Sequence, residues 1–228
     1  MIKPGSIWHS PSNVYWHIQQ LTKKVGAGAI ETRREHQMVR EARVGAVISL
    51  VLFKRLGKPT FLQLYKPDPP DVILMQPSKE KIGQRDITQL EITSYVGKPK
   101  ESLLKQLKRT KTPPGRHLYS ENHIILVNVG KGLKVDYKPI RDYLNQNKTP
   151  FPVWTLQEKE SRPDTIARVV IVNPEIFEID VNVGEAVHIF EKLKPPGVIH
   201  SKRVSKTELV RVESAKKCYE APWETIGK

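Results

Sequence analysis

A nearly continuous apolar run from His123 to Val129 most constrains the fold of this chain. A run of this kind, without polar alternation, is typical of a strand that is buried on both faces at the centre of a sheet. It follows a helical pattern from Lys100 to about Thr110, which Pro99 opens and whose leucines form an apolar stripe. A short helix from Asp136 to about Gln146 comes next. This alternation predicts an α/β fold with a mixed central sheet flanked by helices.

The first half of the chain contains one long helical pattern and three strand-like runs. The helical pattern begins at Glu31 and ends near Gly57. One face of this helix carries Glu35, Val39, Ala42 and Ala46. The strand-like runs cover residues 61–65, 71–75 and 89–95, and the polar segment 76–88 is turn-like. Further strands are predicted over 152–156 and 167–173, and a hairpin over 177–181 and 186–190.

The two ends of the chain differ in composition from its middle. Residues 1–30 carry aromatic side chains among prolines and glycines without a sustained period, which predicts a loosely structured N-terminal arm. The segment 191–228 is basic and interrupted by prolines. We therefore expect an arm (1–30), one main α/β domain (31–190) and a basic C-terminal tail (191–228).

Composition and charge narrow the class of protein. Because 38% of the residues are hydrophobic, the chain can build a core, and its single cysteine, Cys218, excludes a disulfide framework. No apolar stretch approaches the roughly 20 residues of a membrane span, and no apolar signal segment is found at the N-terminus. We expect a cytoplasmic protein with no membrane partner. The 38 Lys and Arg against 24 Asp and Glu give a net charge of +14, which favours nucleic acid as the partner.

Two acidic residues lie within neighbouring apolar strand candidates. Asp71 begins one strand and Glu91 lies in the next, and a carboxylate in such surroundings costs free energy unless it is paired, hydrogen-bonded or bound to a metal. Two carboxylates offer the oxygen ligands that Mg²⁺ prefers. Strand periodicity places Glu91 and Thr93 on the same face. The alternatives are that Asp71 only caps its strand, that Asp68 takes its role, and that Glu91 pairs with Arg85.

The order of these residues and elements resembles the PD-(D/E)xK nuclease superfamily, whose fold is called restriction-endonuclease-like. The matching order is a helix with an acid, a Pro-Asp pair, an acid on the next strand, a second helix and a buried strand, over roughly Glu31 to Val129. The resemblance implies that Asp71 and Glu91 hold Mg²⁺ or Mn²⁺. It implies that Glu35, or alternatively Glu41, supplies the acid of the first helix. It also implies an endonuclease that hydrolyses phosphodiester bonds in DNA.

Thr93 stands where the family has a lysine that helps to activate the attacking water. A threonine hydroxyl can orient a water molecule but brings no positive charge. Members of the superfamily are known to carry this lysine on another element, and Lys105 or Lys108 of the following helix is the predicted replacement. Gln106 looks like a glutamine that some members place near the site. The alternative is a catalytically inactive nucleic-acid-binding protein that retains the fold.

Further cations follow Glu91 along the chain and predict the path of a phosphate backbone. Those assigned to nucleic-acid binding are Lys98, Lys100, Arg109 and Lys111. DNA is the expected partner, although the sequence does not distinguish DNA from RNA, and a homodimer is left open. A third interpretation is a structural or interaction protein that uses its charge only for solubility.

Overall fold

The computed structural model describes residues 6–64, 70–77, 85–97, 101–116, 118–159, 165–203 and 209–213. The chain divides into two units, Met1–Ile87 with Ala186–Lys228, and Thr88–Glu185. The boundaries at residues 30 and 190 that the sequence suggests stay predictions. Among the described residues, no helix has both the length and the apolar character needed to cross a membrane.

The described residues form ten strands and six α-helices. The strands are β1 (Ser6–His9), β2 (Phe61–Leu64), β3 (Val72–Pro77), β4 (Arg85–Tyr95), β5 (His123–Val129), β6 (Val153–Glu158), β7 (Ile166–Ile171), β8 (Phe177–Asn182), β9 (Val198–Arg203) and β10 (Leu209–Glu213). The α-helices are α1 (Pro11–Val25), α2 (Ala27–Thr32), α3 (Gln37–Leu56), α4 (Leu103–Thr110), α5 (Lys138–Gln146) and α6 (Val183–Lys192). A 3₁₀-helix, Arg34–His36, lies directly before α3.

The first unit packs helices on antiparallel strands. Its strands pair antiparallel in the order β10-β9-β1-β2-β3. Helix α3 packs on β2 and β3 and against α1. The approach of α3 to β3 requires a glycine, because a Cβ at Gly45 would lie 2.9 Å from Val72 Cγ1. Helix α3 ends at Gly57, as predicted, and this glycine has the left-handed conformation with φ 68°.

The second unit contains a mixed sheet with helices on one face. Strands β4, β5 and β6 pair in parallel, and β7 and β8 continue the sheet antiparallel. The predicted strand His123–Val129 is confirmed as β5, which lies between β4 and β6, with Ile125 and Val127 fully buried. The core between the sheet and α4 and α5 is lined by Leu103, Leu107, Ile125, Val127, Ile140, Leu144, Phe151 and Val153. The expected α/β class with a mixed sheet is therefore confirmed.

Two predictions about local structure were wrong in the first unit. The segment expected to be a loose arm forms β1 and α1, because Ser10 caps α1 by accepting a hydrogen bond from the Asn13 backbone N–H, and Trp8 and Val14 are fully buried. The long helix begins at Gln37 rather than Glu31, since the chain between α2 and α3 turns through the 3₁₀-helix.

Two further differences concern strands. Strand β4 begins at Arg85, inside the segment predicted as a turn. The second strand of the expected hairpin, 186–190, is instead part of α6. The Asn182 side chain accepts a hydrogen bond from the Glu185 backbone N–H at 3.1 Å, an N-terminal helix cap that the apolar run concealed.

Candidate functional site

Glu91 is a carboxylate in the core of the second unit. It lies on β4 in register with Ile125 of β5, and Ile125 belongs to the core that α4 and α5 cover. Paired residues of neighbouring strands share a face, so the Glu91 side chain lies on the helix-covered face. Only 9% of that side chain is exposed. The face that the sequence marked as polar is therefore covered by helices.

The partner of Glu91 is Lys111, the residue that directly follows α4. Lys111 Nζ donates a hydrogen bond to Glu91 Oε1 at 2.5 Å, and the Lys111 side chain is 16% exposed. Burial lowers the pKa of Lys111, but the hydrogen bond and the charge of Glu91 outweigh it, so that the pKa is raised above its usual 10.5. The ammonium is thus held in its charged form beside the carboxylate.

Helix α4 places Lys111 at this position. Ser102 caps the helix by accepting a hydrogen bond from the Lys105 backbone N–H, and Leu103 and Leu107 fix it to the sheet. Leu103, Leu107 and Lys111 follow one another at intervals of four residues, which is one face of an α-helix. The Lys111 backbone N–H still bonds to the Leu107 carbonyl at 2.9 Å. The lysine therefore continues the stripe that packs on the core.

Tyr119 and His123 are the aromatic side chains next to the ion pair. The Tyr119 hydroxyl lies 3.4 Å from Lys111 Nζ, and its ring packs against Phe151 and His123 with centroids 5.5 Å apart in each case. Burial, followed by the charge of Glu91, raises the pKa of Tyr119, which keeps the phenol protonated. Burial also lowers the pKa of His123. We call Glu91, Lys111, Tyr119 and His123 the Glu91 cluster.

The second carboxylate oxygen of Glu91 is buried without a hydrogen-bond partner among the described residues. A buried acceptor left in this state costs about 1–3 kcal/mol, and more when it is charged. An oxygen of this kind is a suitable ligand for a hard divalent cation. The described residues contain no group of three or more His, Cys, Asp or Glu arranged to hold a metal. Among the described residues, Glu91 is therefore a single candidate ligand for such an ion and not part of a metal-binding group.

The predicted metal ligands belong to different units. Asp71 is half-buried and lies immediately before β3 in the first unit, whereas Glu91 is in the second. Their sharing of one metal stays a prediction, and Asp68 lies outside the described residues. The alternative prediction was that Glu91 only forms an ion pair. The structure contains such a pair, in which the partner is Lys111 and not the predicted Arg85.

The predicted acid of the first helix is on the surface. Glu35 lies in the 3₁₀-helix with 65% of its side chain exposed, 3.6 Å from Arg33 Nη1 and 3.5 Å from His36 Nε2. The expected common face with Val39 was wrong, because the helix has not yet begun at residue 35. Glu41 accepts a hydrogen bond from Gln37 at 2.7 Å on the exposed side of α3. The role of either acid stays a prediction.

The residues predicted around the missing lysine lie on β4 and α4. Thr93 is half-buried on the same face as Glu91, while Lys105 and Lys108 are exposed, with Lys108 Nζ 4.3 Å from the centre of the Tyr143 ring. The Gln106 amide donates to the Ser94 carbonyl at 2.9 Å and so ties α4 to β4. Of Lys105, Lys108 and Lys111, Lys111 is the lysine that forms the ion pair with Glu91.

Of the residues predicted to contact phosphates, two lie in the part of the chain that the structure describes and two lie outside it. Arg109 is exposed and donates two hydrogen bonds to Glu101, at 3.0 and 3.1 Å. Lys98 and Lys100 lie outside the described residues. Lys111, which the sequence assigned to nucleic acid, is mostly buried beside Glu91. Sequence reasoning missed that contact, and it missed Tyr119 and His123.

No protein-family model matches the chain, and no curated protein matches it.

Proposed function

We propose that the chain is a metal-dependent nuclease of the PD-(D/E)xK type that hydrolyses phosphodiester bonds in DNA. The observation that carries the proposal is the buried Glu91 carboxylate, with one oxygen on Lys111 and the other without a partner in the described structure. The order of α3, β2, β3, β4, α4 and β5 along the chain supports it, because it is the order that the superfamily resemblance implies. The net charge of +14 suits a polyanionic substrate.

In this proposal each residue has a separate task. Glu91 would hold Mg²⁺ or Mn²⁺, which supplies a Lewis acid for the phosphate and lowers the pKa of a bound water. Lys111 would neutralise the charge that develops on the phosphate, the task of the lysine that Thr93 replaces. The Thr93 hydroxyl would orient water. Attack of that water on phosphorus breaks one P–O ester bond and leaves a phosphate monoester and an alcohol.

Lys111 is a better candidate for the displaced cation than Lys105 or Lys108. Its ammonium is in contact with Glu91, whereas both other lysines are exposed. A charge acts more strongly on a developing negative charge where water is excluded. Lys111 is therefore the lysine whose removal should affect cleavage most.

The test is cleavage of single-stranded, double-stranded and branched DNA with Mg²⁺ or Mn²⁺. Wild type should cut at least one of them, and Glu91→Gln and Lys111→Met should each lower the rate by about 100- to 1,000-fold, as expected for loss of one electrostatic contact to the reacting group. Asp180→Asn and Lys159→Met, which alter the two members of an exposed ion pair in the same unit, are matched controls and should keep the wild-type rate. Circular dichroism checks the fold of each variant. An inert wild type on all three substrates would contradict the nuclease proposal.

A nucleic-acid-binding protein without catalysis is the second candidate. The observation that favours it is Thr93, which leaves the usual lysine position without a positive charge. Binding of nucleic acid without catalysis requires the positive charge of the chain. It requires neither a metal nor a metal ligand such as Glu91 Oε2. DNA binding in the presence of EDTA, together with an inert wild type, would select it.

A further inference from the structure

The two oxygens of the Glu91 carboxylate have different surroundings. Oε1 accepts the hydrogen bond from Lys111 Nζ, and Oε2 is buried without a partner among the described residues. A divalent cation that binds Oε2 would share one carboxylate with an ammonium ion. The two positive charges would then lie within a few ångströms of each other in surroundings from which most water is excluded. Like charges at such a distance repel each other strongly.

We propose that Lys111 and a divalent cation compete for Glu91, so that the ion pair keeps metal affinity low until a phosphate draws the lysine away. This inference rests on the proposed function and describes the regulation of that site. Without metal, the ammonium neutralises the buried carboxylate. Metal entry at Glu91 displaces the ammonium from its contact.

Lys111 Nζ already has a second partner, which it can keep when it leaves Glu91. Its side chain is 16% exposed and follows the last turn of α4, so its flexible stem can move without unfolding the helix. Tyr119 offers a hydroxyl oxygen 3.4 Å from Nζ and a ring face whose centre is 5.8 Å away. A ring face attracts an ammonium ion. Lys111 can thus leave Glu91 and keep a partner within the Glu91 cluster.

Competition of this kind couples metal binding to substrate binding. A backbone phosphate that binds Lys111 removes the charge that opposes the metal, so the phosphate raises the affinity for metal. By linkage, the metal raises the affinity for phosphate by the same factor. The site would therefore load its metal when nucleic acid is present.

Isothermal titration of the full-length protein with Mn²⁺, without nucleic acid, measures the competition. Lys111→Gln should bind Mn²⁺ more tightly than wild type by about 5- to 150-fold, the usual range of coupling between two sites. Lys105→Gln, which removes the same charge from an exposed position of α4, should leave the affinity unchanged. Glu91→Gln should abolish binding. A phosphorothioate duplex that resists cleavage should tighten Mn²⁺ binding to wild type and have little effect on Lys111→Gln.

The outcomes separate this inference from the proposed function. If neither wild type nor Lys111→Gln binds Mn²⁺ at Glu91, the nuclease proposal falls and the competition falls with it. If wild type binds Mn²⁺ and Lys111→Gln binds equally or more weakly, the competition is wrong and the nuclease proposal stands.

Nuclear magnetic resonance of wild type gives the same answer if Lys111→Gln does not fold. The side-chain methylene signals of Lys111 should move during a Mg²⁺ titration, while those of Lys105 stay in place. Lys111 signals that do not move as Mg²⁺ saturates the site would overturn the proposal.

Discussion

Removal of one partner of the Glu91–Lys111 pair should destabilise the second unit strongly. Loss of one member of a buried ion pair costs about 3–5 kcal/mol, because the other charge is left buried and alone. Since 16% of the Lys111 side chain is exposed, water can partly solvate the site, and we expect the lower end, about 3 kcal/mol, for Lys111→Met. A typical domain has only about 5–15 kcal/mol of stability, so the change should be easily measured.

A double-mutant cycle measured by urea unfolding isolates the pair. Lys111→Met and Glu91→Leu should each cost about 3 kcal/mol, whereas the double variant should stay within about 1 kcal/mol of wild type, because matched apolar residues replace a buried pair with little loss. The exposed pair Lys159–Asp180 is the control, and Lys159→Met should cost less than about 1 kcal/mol. Additive effects of Lys111→Met and Glu91→Leu, with no coupling, would refute the contact on which the site is built.

Two other predictions concern pH and salt. Burial lowers the pKa of His9 from 6.5 to about 4. As the pH falls, the unfolded state therefore binds the proton before the folded state does. The free energy of unfolding should drop by about 2 kcal/mol between about pH 7.5 and about pH 5. Urea unfolding at both pH values should show this drop in wild type, and a smaller one in His9→Asn, which can still donate to Asn13. If four to six cations contact phosphates, duplex affinity in EDTA should fall by roughly two to three orders of magnitude between about 50 and 200 mM salt. Reversal of Lys105 and Lys108 to Glu should flatten that slope, and a wild-type slope near zero in a fluorescence titration would contradict nucleic-acid binding.

The sequence predicts the sheet of the second unit well because its strands are strongly apolar. His123–Val129 forms β5 with the predicted bounds, since a run buried on both faces has few alternatives. Short apolar runs are ambiguous, and residues 186–190 fit a strand or a helix equally well until the cap from Asn182 is known. The helix predicted from Glu31 shows the same limit at its start, because Glu35 lies in the 3₁₀-helix that precedes α3.

The candidate site was only partly predictable. Glu91 was identified because a carboxylate in an apolar strand requires a partner. Its partner was not identified, because Lys111 lies one residue beyond the predicted helix and was grouped with the surface cations. A signal was present, since Lys111 lies four residues after Leu107 and eight after Leu103, on the buried face. Extension of the apolar stripe beyond Thr110 would have placed this lysine over the sheet.

The position of Lys111 links the stability of the fold to the proposed chemistry. A leucine there would extend the stripe of Leu103 and Leu107 and, with an apolar residue at position 91, would give a core at least as stable. The chain instead has a lysine and a glutamate on facing elements of this core, and one carboxylate oxygen has no partner in the described structure. Packing does not account for that oxygen. In the nuclease proposal, a divalent cation bound at Oε2 would account for it.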